Sequence, residues 1–279
     1  MTKLDANEFL LLRDFIEEHC GIHLDENKTY LIETRLTTLM VENGCKSYAD
    51  FYYKAKNDTT NTLRENIIDA MTTNETLWFR DSSPFAAFQK HYLPRFLKDI
   101  SSGKKTKIRI WSAASSTGQE IYSLAMMILD YCRMQSTLKP EHFELLATDI
   151  SSTVLYLAKA GRYDAHVISR GLPDEQRSRY FTTADSKVWS ISDTVKNMVT
   201  FKKLNLQDDF GYVGKMDMIF CRNVLIYFSE DLKKDLLRRF AQLLRPSGCL
   251  ILGSSESISN YSSEYNLHTF EKAMIYQVK

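Results

Sequence analysis

Residues 108–123 read Ile108-Arg109-Ile110-Trp111-Ser112-Ala113-Ala114-Ser115-Ser116-Thr117-Gly118-Gln119-Glu120-Ile121-Tyr122-Ser123. An apolar, strand-like run passes into small residues and one glycine, and a helical pattern follows at once. That layout lets the backbone approach a polar ligand at the mouth of a parallel sheet. Further on, Phe143-Glu144-Leu145-Leu146-Ala147-Thr148-Asp149 reads as a second strand ending in an acid. A carboxylate at that point can accept hydrogen bonds from both hydroxyls of a ribose. Together the two stretches predict a nucleoside-binding α/β domain.

Working outward, helix and strand alternate. Helical patterns cover Ile121–Cys132, Thr153–Ala160 and Asp231–Leu244, and strand patterns cover Met216–Cys221 and Cys249–Gly253. Such alternation predicts a parallel sheet covered on both faces. Residues 162–204 break the rhythm. Val188–Ile191, Val195 and Val199–Phe201 read as short strands without crossover helices, which predicts a small antiparallel insertion. On the N-terminal side, Phe85, Phe88, Tyr92 and Phe96 mark a helix that Pro94 should bend or end. The first 72 residues read as four short amphipathic helices. Their signals are Phe9/Leu12/Phe15/Ile16 closed by Gly21, Tyr30–Met40 ended near Asn43-Gly44, Tyr48/Phe51/Tyr52, and Leu63/Ile67/Ile68/Met71. The expected domains are a helical unit over 1–72 and an α/β unit over 73–279, the latter carrying the insertion at about 162–204.

Charge separates the same two units. Residues 1–72 hold 8 Lys/Arg against 13 Asp/Glu, a net of −5, leaving the rest of a +1 chain at +6. The chain's net charge of +1 gives no support to a general nucleic-acid binder, which carries a basic excess. The five cysteines are scattered, with no Cys-x-x-Cys pair or Cys/His cluster, so no metal site is expected. The chain starts without an apolar signal core, and no apolar run reaches the ~20 residues that span a bilayer. A cytoplasmic protein without membrane insertion is the expectation.

The candidate site residues cluster at predicted strand ends. The turn 113–118 lacks the GxGxxG of a pyrophosphate cradle, which points away from NAD and towards a nucleoside without phosphates, such as S-adenosylmethionine. Asp149 would meet its ribose. Glu120, in the first helical turn, either faces the ligand's ammonium group or complements the helix dipole. Asn205 is either an adenine-edge contact or a turn-forming residue. Arg222-Asn223 directly follow an apolar strand, where open α/β sheets bind ligands. Tyr227 is a core aromatic by default, with a hydroxyl able to reach the cleft. Asn74, Thr76 and Arg80 either converge on one ligand or mark a capped helix start with a surface arginine, and Trp78-Phe79 between them read as packing.

Taken together, these segments resemble the chemotaxis receptor glutamate O-methyltransferases, the CheR family. The resemblance rests on Thr72–Arg80, Trp111–Ser123, Ala147–Ile150, Ile219–Phe228 and Leu252-Gly253-Ser254-Ser255-Glu256 in that order. It implies a helical N-terminal domain and a Rossmann-like S-adenosylmethionine-dependent methyltransferase domain with an inserted antiparallel β-subdomain. It also implies cofactor contacts at Asn74, Thr76, Arg80, Glu120, Asp149, Asn205, Leu206, Arg222 and Asn223, the last two pairs at the adenosine end. The implied reaction esterifies glutamates on the cytoplasmic helices of methyl-accepting receptors and releases S-adenosylhomocysteine. A carboxylate is already ionised at neutral pH, its unperturbed pKa being about 4.3, so no general base is needed. Arg80 and Tyr227 are the expected catalytic residues. A module that binds S-adenosylmethionine without transfer is the alternative, while a nucleic-acid methyltransferase is disfavoured by the acidic front and the lack of an NPPY-like signature.

The chain departs from the family pattern in three places. Gln119-Glu120-Ile121 stands where the family usually has Glu-Glu-Pro. The region Asp25–Met40, where the family often carries a strongly basic receptor-binding helix, has only Lys28 and Arg35 against Asp25, Glu26 and Glu33. No glycine occurs between Leu172 and Phe210, whereas members that dock on a receptor's C-terminal pentapeptide tend to have a longer, glycine-containing loop there. A monomer that works without the pentapeptide is therefore expected.

Overall fold

The computed structural model describes residues 3–279. The N-terminal domain is built from α1 (Ala6–Cys20), α2 (Thr29–Glu42), α3 (Tyr48–Lys56) and α4 (Thr62–Met71). A capping box starts α1: Asp5 Oδ1 accepts the Glu8 N–H at 2.8 Å, and Glu8 Oε2 accepts the Asp5 N–H at 3.2 Å. Gly21 ends it in the left-handed region at φ 75°. The apolar stripes read from the sequence turn inward, with Leu12, Ile16, Ile32, Leu36, Phe51 and Ile67 all buried in one core.

The second unit begins with α5 (Ser83–Ala87), a π-turn over Phe88–Tyr92 and α6 (Leu93–Ser101). The helix does not end at Pro94. The wider π-turn, with Leu93 N–H reaching Phe88 O, accommodates a residue that cannot donate. Then follow β1 (Ile108–Ala113), α7 (Gln119–Met134), β2 (Phe143–Asp149), α8 (Ser152–Ala160), β3 (Arg162–Asp164), α9 (Ala165–Ser169), α10 (Asp174–Tyr180) and β4 (Phe181–Thr183). The chain continues through β5 (Val188–Ile191), α11 (Asp193–Lys196), β6 (Val199–Lys203), β7 (Met216–Phe220), α12 (Glu230–Leu243), β8 (Leu244–Ile251), β9 (Tyr265–Phe270) and β10 (Ala273–Val278).

Seven strands form the main sheet in the order β6-β2-β1-β7-β8-β10-β9. The first five run parallel, and β10 and β9 close the edge antiparallel. The chain leaves β1 for β2 and β6 on one side, then crosses to β7 on the other. The loops after β1 and β7 diverge at that reversal, which opens a crevice at the carboxyl ends of the strands.

Three strand expectations are corrected, the first at Val195, which lies in α11 and not in a strand because Ser192 and Asp193 start a helical turn there. Val199–Lys203 does not belong to the antiparallel insertion; it pairs in parallel with β2 as an edge strand of the main sheet. The separate antiparallel sheet is β3-β5-β4 alone. The pattern misled because an edge strand is half exposed and shows the same alternation as a hairpin strand. The strand read from Cys249 starts earlier, at Leu244, through a bulged stretch containing Pro246. The β9–β10 hairpin turns on Glu271 and Lys272, both at positive φ, and neither residue carries the usual turn signal.

Candidate active site

The carboxyl ends of the parallel strands open on a cleft of about 970 Å³, counted out to its open mouth, and the end of α1 forms part of its wall. Asn74, Thr76, Arg80, Glu120, Asp149, Asn205, Leu206, Arg222, Asn223 and Tyr227 all line this one cleft. Residues spread over more than 150 positions of sequence are thus brought together. Their environments differ sharply.

The turn after β1 forms the floor. Ala114, Ser116 and Gly118 take positive φ at 58°, 50° and 92°. Ser115 N–H donates to Thr148 O and Ser116 N–H to Asp149 Oδ2, both bonds tying the turn to the end of β2. Ser151 N–H donates to the other carboxylate oxygen of Asp149 at 3.0 Å. Asp149 is therefore fixed from both sides with lone pairs left over. Burial pushes its pKa up, and the backbone N–H bonds partly counter that shift. Gly118 sits at φ 92°, a conformation that strains residues with a Cβ, and a Cβ there would also crowd Ala158 Cβ and the Tyr122 ring at 3.2 Å.

Glu120 has a partner that neither sequence reading foresaw. Its Oε2 accepts from Arg222 at 2.9 Å and its Oε1 from Ser112 Oγ at 2.7 Å. Arg222, with a side chain only 3% exposed, also donates to Asp81 Oδ2 at 2.9 Å and to Arg80 O at 2.6 Å. This cluster stitches the 80–81 segment to the ends of β7 and β1. Asp81, unmarked in the sequence, is part of it.

Asn205 is a turn former and more. Its Oδ1 accepts the Gln207 N–H, and its Nδ2 donates to His19 O at the end of α1. Leu206 is buried in the core beside it. Asn223 sits at φ 58°, and its side-chain Oδ1 is buried without a partner among the described residues. Tyr227 packs against both domain cores, and its backbone oxygen accepts the His23 N–H at 2.8 Å. No described residue pairs with its hydroxyl.

The segment 72–82 is not a capped helix start; the helix begins at Ser83. Trp78 anchors the segment, 1% exposed, with its ring edge-on to Tyr163 at 5.0 Å and Phe181 at 5.3 Å. Asn74 O accepts from Ser116 Oγ, while Asn74 Nδ2 reaches Thr72 Oγ1 at 3.3 Å. Thr76 lines the cleft half-buried. Arg80 donates to Glu75 O at 3.0 Å and has no carboxylate partner among the described residues.

Sequence reasoning missed the wall supplied by Cys20 and Ile22 of the N-terminal domain. Ile22 forms an antiparallel bridge with Phe228, and nothing local in the sequence signals that pairing. It also assigned no role to Glu256, which is buried and accepts three backbone N–H groups.

The donors and acceptors present fit S-adenosylmethionine. The Asp149 carboxylate can accept from a ribose, Asn223 stands in the cleft wall, and the turn of small residues gives close approach without a phosphate cradle. Comparison with known proteins agrees. Residues 74–274 match the description "CheR methyltransferase, SAM binding domain", and residues 7–72 match "CheR methyltransferase, all-alpha domain". The chain is 42% identical over 272 residues to Chemotaxis protein methyltransferase 1 of Pseudomonas aeruginosa, covering 98% of each chain. It is 41% identical over 276 residues to Chemotaxis protein methyltransferase Cher2 of Pseudomonas putida, covering 99% of this chain and 98% of that one. Chemotaxis protein methyltransferase 1 of Vibrio cholerae is 41% identical over 265 residues, covering 95% of this chain and 94% of that one. With the cleft, its donor set and both domains in agreement, the chain belongs to the CheR family of S-adenosylmethionine-dependent methyltransferases.

Proposed function

We propose that this chain methylates glutamate side chains on the cytoplasmic helices of chemotaxis receptors, forming methyl esters, and that Arg80 guides the acceptor. The relatives' function in chemotaxis supports the pathway. The observation that carries the acceptor chemistry is the state of the two arginines lining the cleft. Arg222 is neutralised by Glu120 and Asp81, whereas Arg80 has no carboxylate partner. A cation left unpaired beside a cofactor cleft is available to an incoming carboxylate.

The cofactor supplies an electrophilic methyl group when bound. Asp149 and Asn223 would hold the nucleoside, and the 113–118 turn would take the methionine part. Arg80 draws in the glutamate carboxylate and keeps it ionised as the cleft strips away its water, since a nearby opposite charge lowers a carboxyl pKa while desolvation raises it. Tyr227 contributes its hydroxyl at the same cleft. No proton has to leave the nucleophile, so the rate comes from placement and partial desolvation.

Docking by a basic α2 face is not favoured. Lys28 pairs with Asp25 at 3.2 Å, and Arg35 donates to Met71 O, Thr72 O and Thr73 Oγ1 within its own chain. The β4–β5 connection is short, running from Thr183 to Val188, which supports recognition without a receptor pentapeptide. Five free cysteines suit a reducing, cytoplasmic setting.

The test is transfer of labelled methyl to a purified receptor cytoplasmic fragment, read as methanol released by mild alkali. The wild-type chain should give the alkali-labile product. Arg80→Ala should lower kcat/KM about a hundredfold while the melting temperature stays unchanged. Cofactor binding without transfer to any receptor carboxylate would instead leave a binding module.

A further inference from the structure

The loop after β8 reaches back to the loop after β7 through one side chain. Glu256 is 5% exposed, and its carboxylate accepts the N–H of Asn223 at 2.7 Å, of Val224 at 3.1 Å and of Gly253 at 2.7 Å. None of these donors belongs to a helix or sheet ladder, and the carboxylate has no cationic partner among the described residues. Its charge is balanced by backbone dipoles alone, an arrangement that costs desolvation and is kept only where the geometry is needed.

The residue so held is Asn223, at φ 58°. Asparagine is among the few non-glycine residues that enter the left-handed region as single residues, and the two backbone bonds to Glu256 hold it there. Its amide lies against Gly253, where a Cβ would come within 2.6 Å of Asn223 Nδ2 and 2.9 Å of Glu256 Oε2. Asn223 lines the cleft, and its Oδ1 is buried with no partner among the described residues. Two of the three backbone bonds to this one carboxylate thus fix the 223–224 turn in the cleft wall.

We infer that Glu256 is a positioning residue for cofactor binding, holding the 223–224 turn so that Asn223 keeps its place in the cleft wall against the nucleoside part of S-adenosylmethionine. The inference rests on the cofactor and not on the identity of the methyl acceptor. Glu256 itself touches no ligand in this scheme. It acts through the backbone of residues 223–224.

The full-length chain is titrated with S-adenosylhomocysteine by calorimetry, alongside thermal melting. Glu256→Ala, which removes all three acceptor contacts, should weaken binding more than tenfold. Glu256→Gln keeps one oxygen, able to serve Asn223 and Gly253 but not Val224, and should lose only about threefold. In a double-mutant cycle, Asn223→Ala should cost about threefold less in the Glu256→Gln background than in the wild-type chain. If Glu256→Ala does not fold, the glutamine variant and the cycle decide. A lowered melting temperature with affinity within twofold of wild type, or strictly additive losses in the cycle, overturns the positioning role. Failure of the wild-type chain to bind at all would overturn the cofactor assumption with it, whereas failure to methylate a receptor would leave this inference untouched.

Discussion

At the scale of single residues, the cleft sorts its charged groups into anchored and available ones. Asp149 is anchored but exposes acceptors, and burial holds its pKa above the ordinary 3.8. From 3.8 up to that raised value, the cofactor-free folded protein binds more protons than the unfolded chain, so Asp149's contribution to stability declines as pH rises through this window. A ribose donating to the carboxylate favours its ionised form, so binding must expel the proton. Affinity for S-adenosylhomocysteine is therefore expected to improve with pH across the same window and level off above it. Calorimetry in buffers of different ionisation enthalpy measures the released proton directly; a flat affinity without release would sink this role for Asp149. Glu120 behaves differently. It pairs with an almost fully buried guanidinium, so Glu120→Gln should cost about 2–3 kcal/mol of stability, measured by urea denaturation, besides any effect on binding. Arg80→Ala should cost almost none, because the Arg80 side chain makes one hydrogen bond to a backbone oxygen and no ion pair. Asp149, Arg222 and Asn223 were legible as site residues because each sits where a predicted strand ends. Asp81 and Glu256 were not, since their partners lie 141 and 33 residues away along the chain.

At the scale of elements, the β-subdomain does more than decorate the sheet. Trp78 is clamped between Tyr163 and Phe181, and Gly171 closes the contact from the loop after α9. A Cβ on Gly171 would fall 2.3 Å from Trp78 O, and its φ is 91°. Gly171→Ala must therefore push the Trp78 backbone away and strain its own, at a cost of about 2 kcal/mol or more. The expected readout is a lower melting temperature with a shifted Trp78 fluorescence, together with weaker cofactor binding because Asn74, Thr76 and Arg80 ride on the same segment. Unchanged fluorescence and affinity would show the segment to be held independently of the subdomain. Five of the ten non-glycine residues at positive φ (Phe79, Asp81, Ala114, Ser116 and Asn223) cluster around the cleft, and three of these line it. Strain concentrated there marks loops shaped for a ligand and held by the elements around them.

At the scale of the whole molecule, the acidic helical domain and the basic body meet directly. Lys203 pairs with Glu65 at 2.6 Å, Thr153 Oγ1 donates to Asp69 at 2.6 Å, and Asn205 and Gln207 donate to His19 O and Glu17 O at the end of α1. Part of the charge asymmetry thus serves cohesion between the domains. Replacing Asn205 and Gln207 together by alanine removes two hydrogen bonds across the interface, about 1 kcal/mol each. Limited proteolysis of the 72–74 connection should then accelerate, and bound S-adenosylhomocysteine should slow it by bridging both walls; equal cleavage with and without ligand would rule out that coupling. By itself the sequence determined the helical front, the parallel sheet, the β1 and β2 turns and the nucleoside chemistry, because periodicity, small residues and strand-end acids act over a few neighbouring positions. Only the tertiary structure decided that β6 joins the main sheet, that Glu120 and Arg222 neutralise each other, that Ile22 walls the cleft and that Glu256 braces Asn223. Each of those depends on which distant segments share a sheet edge or a buried volume, and burial then sets whether a charge is paired, braced or free.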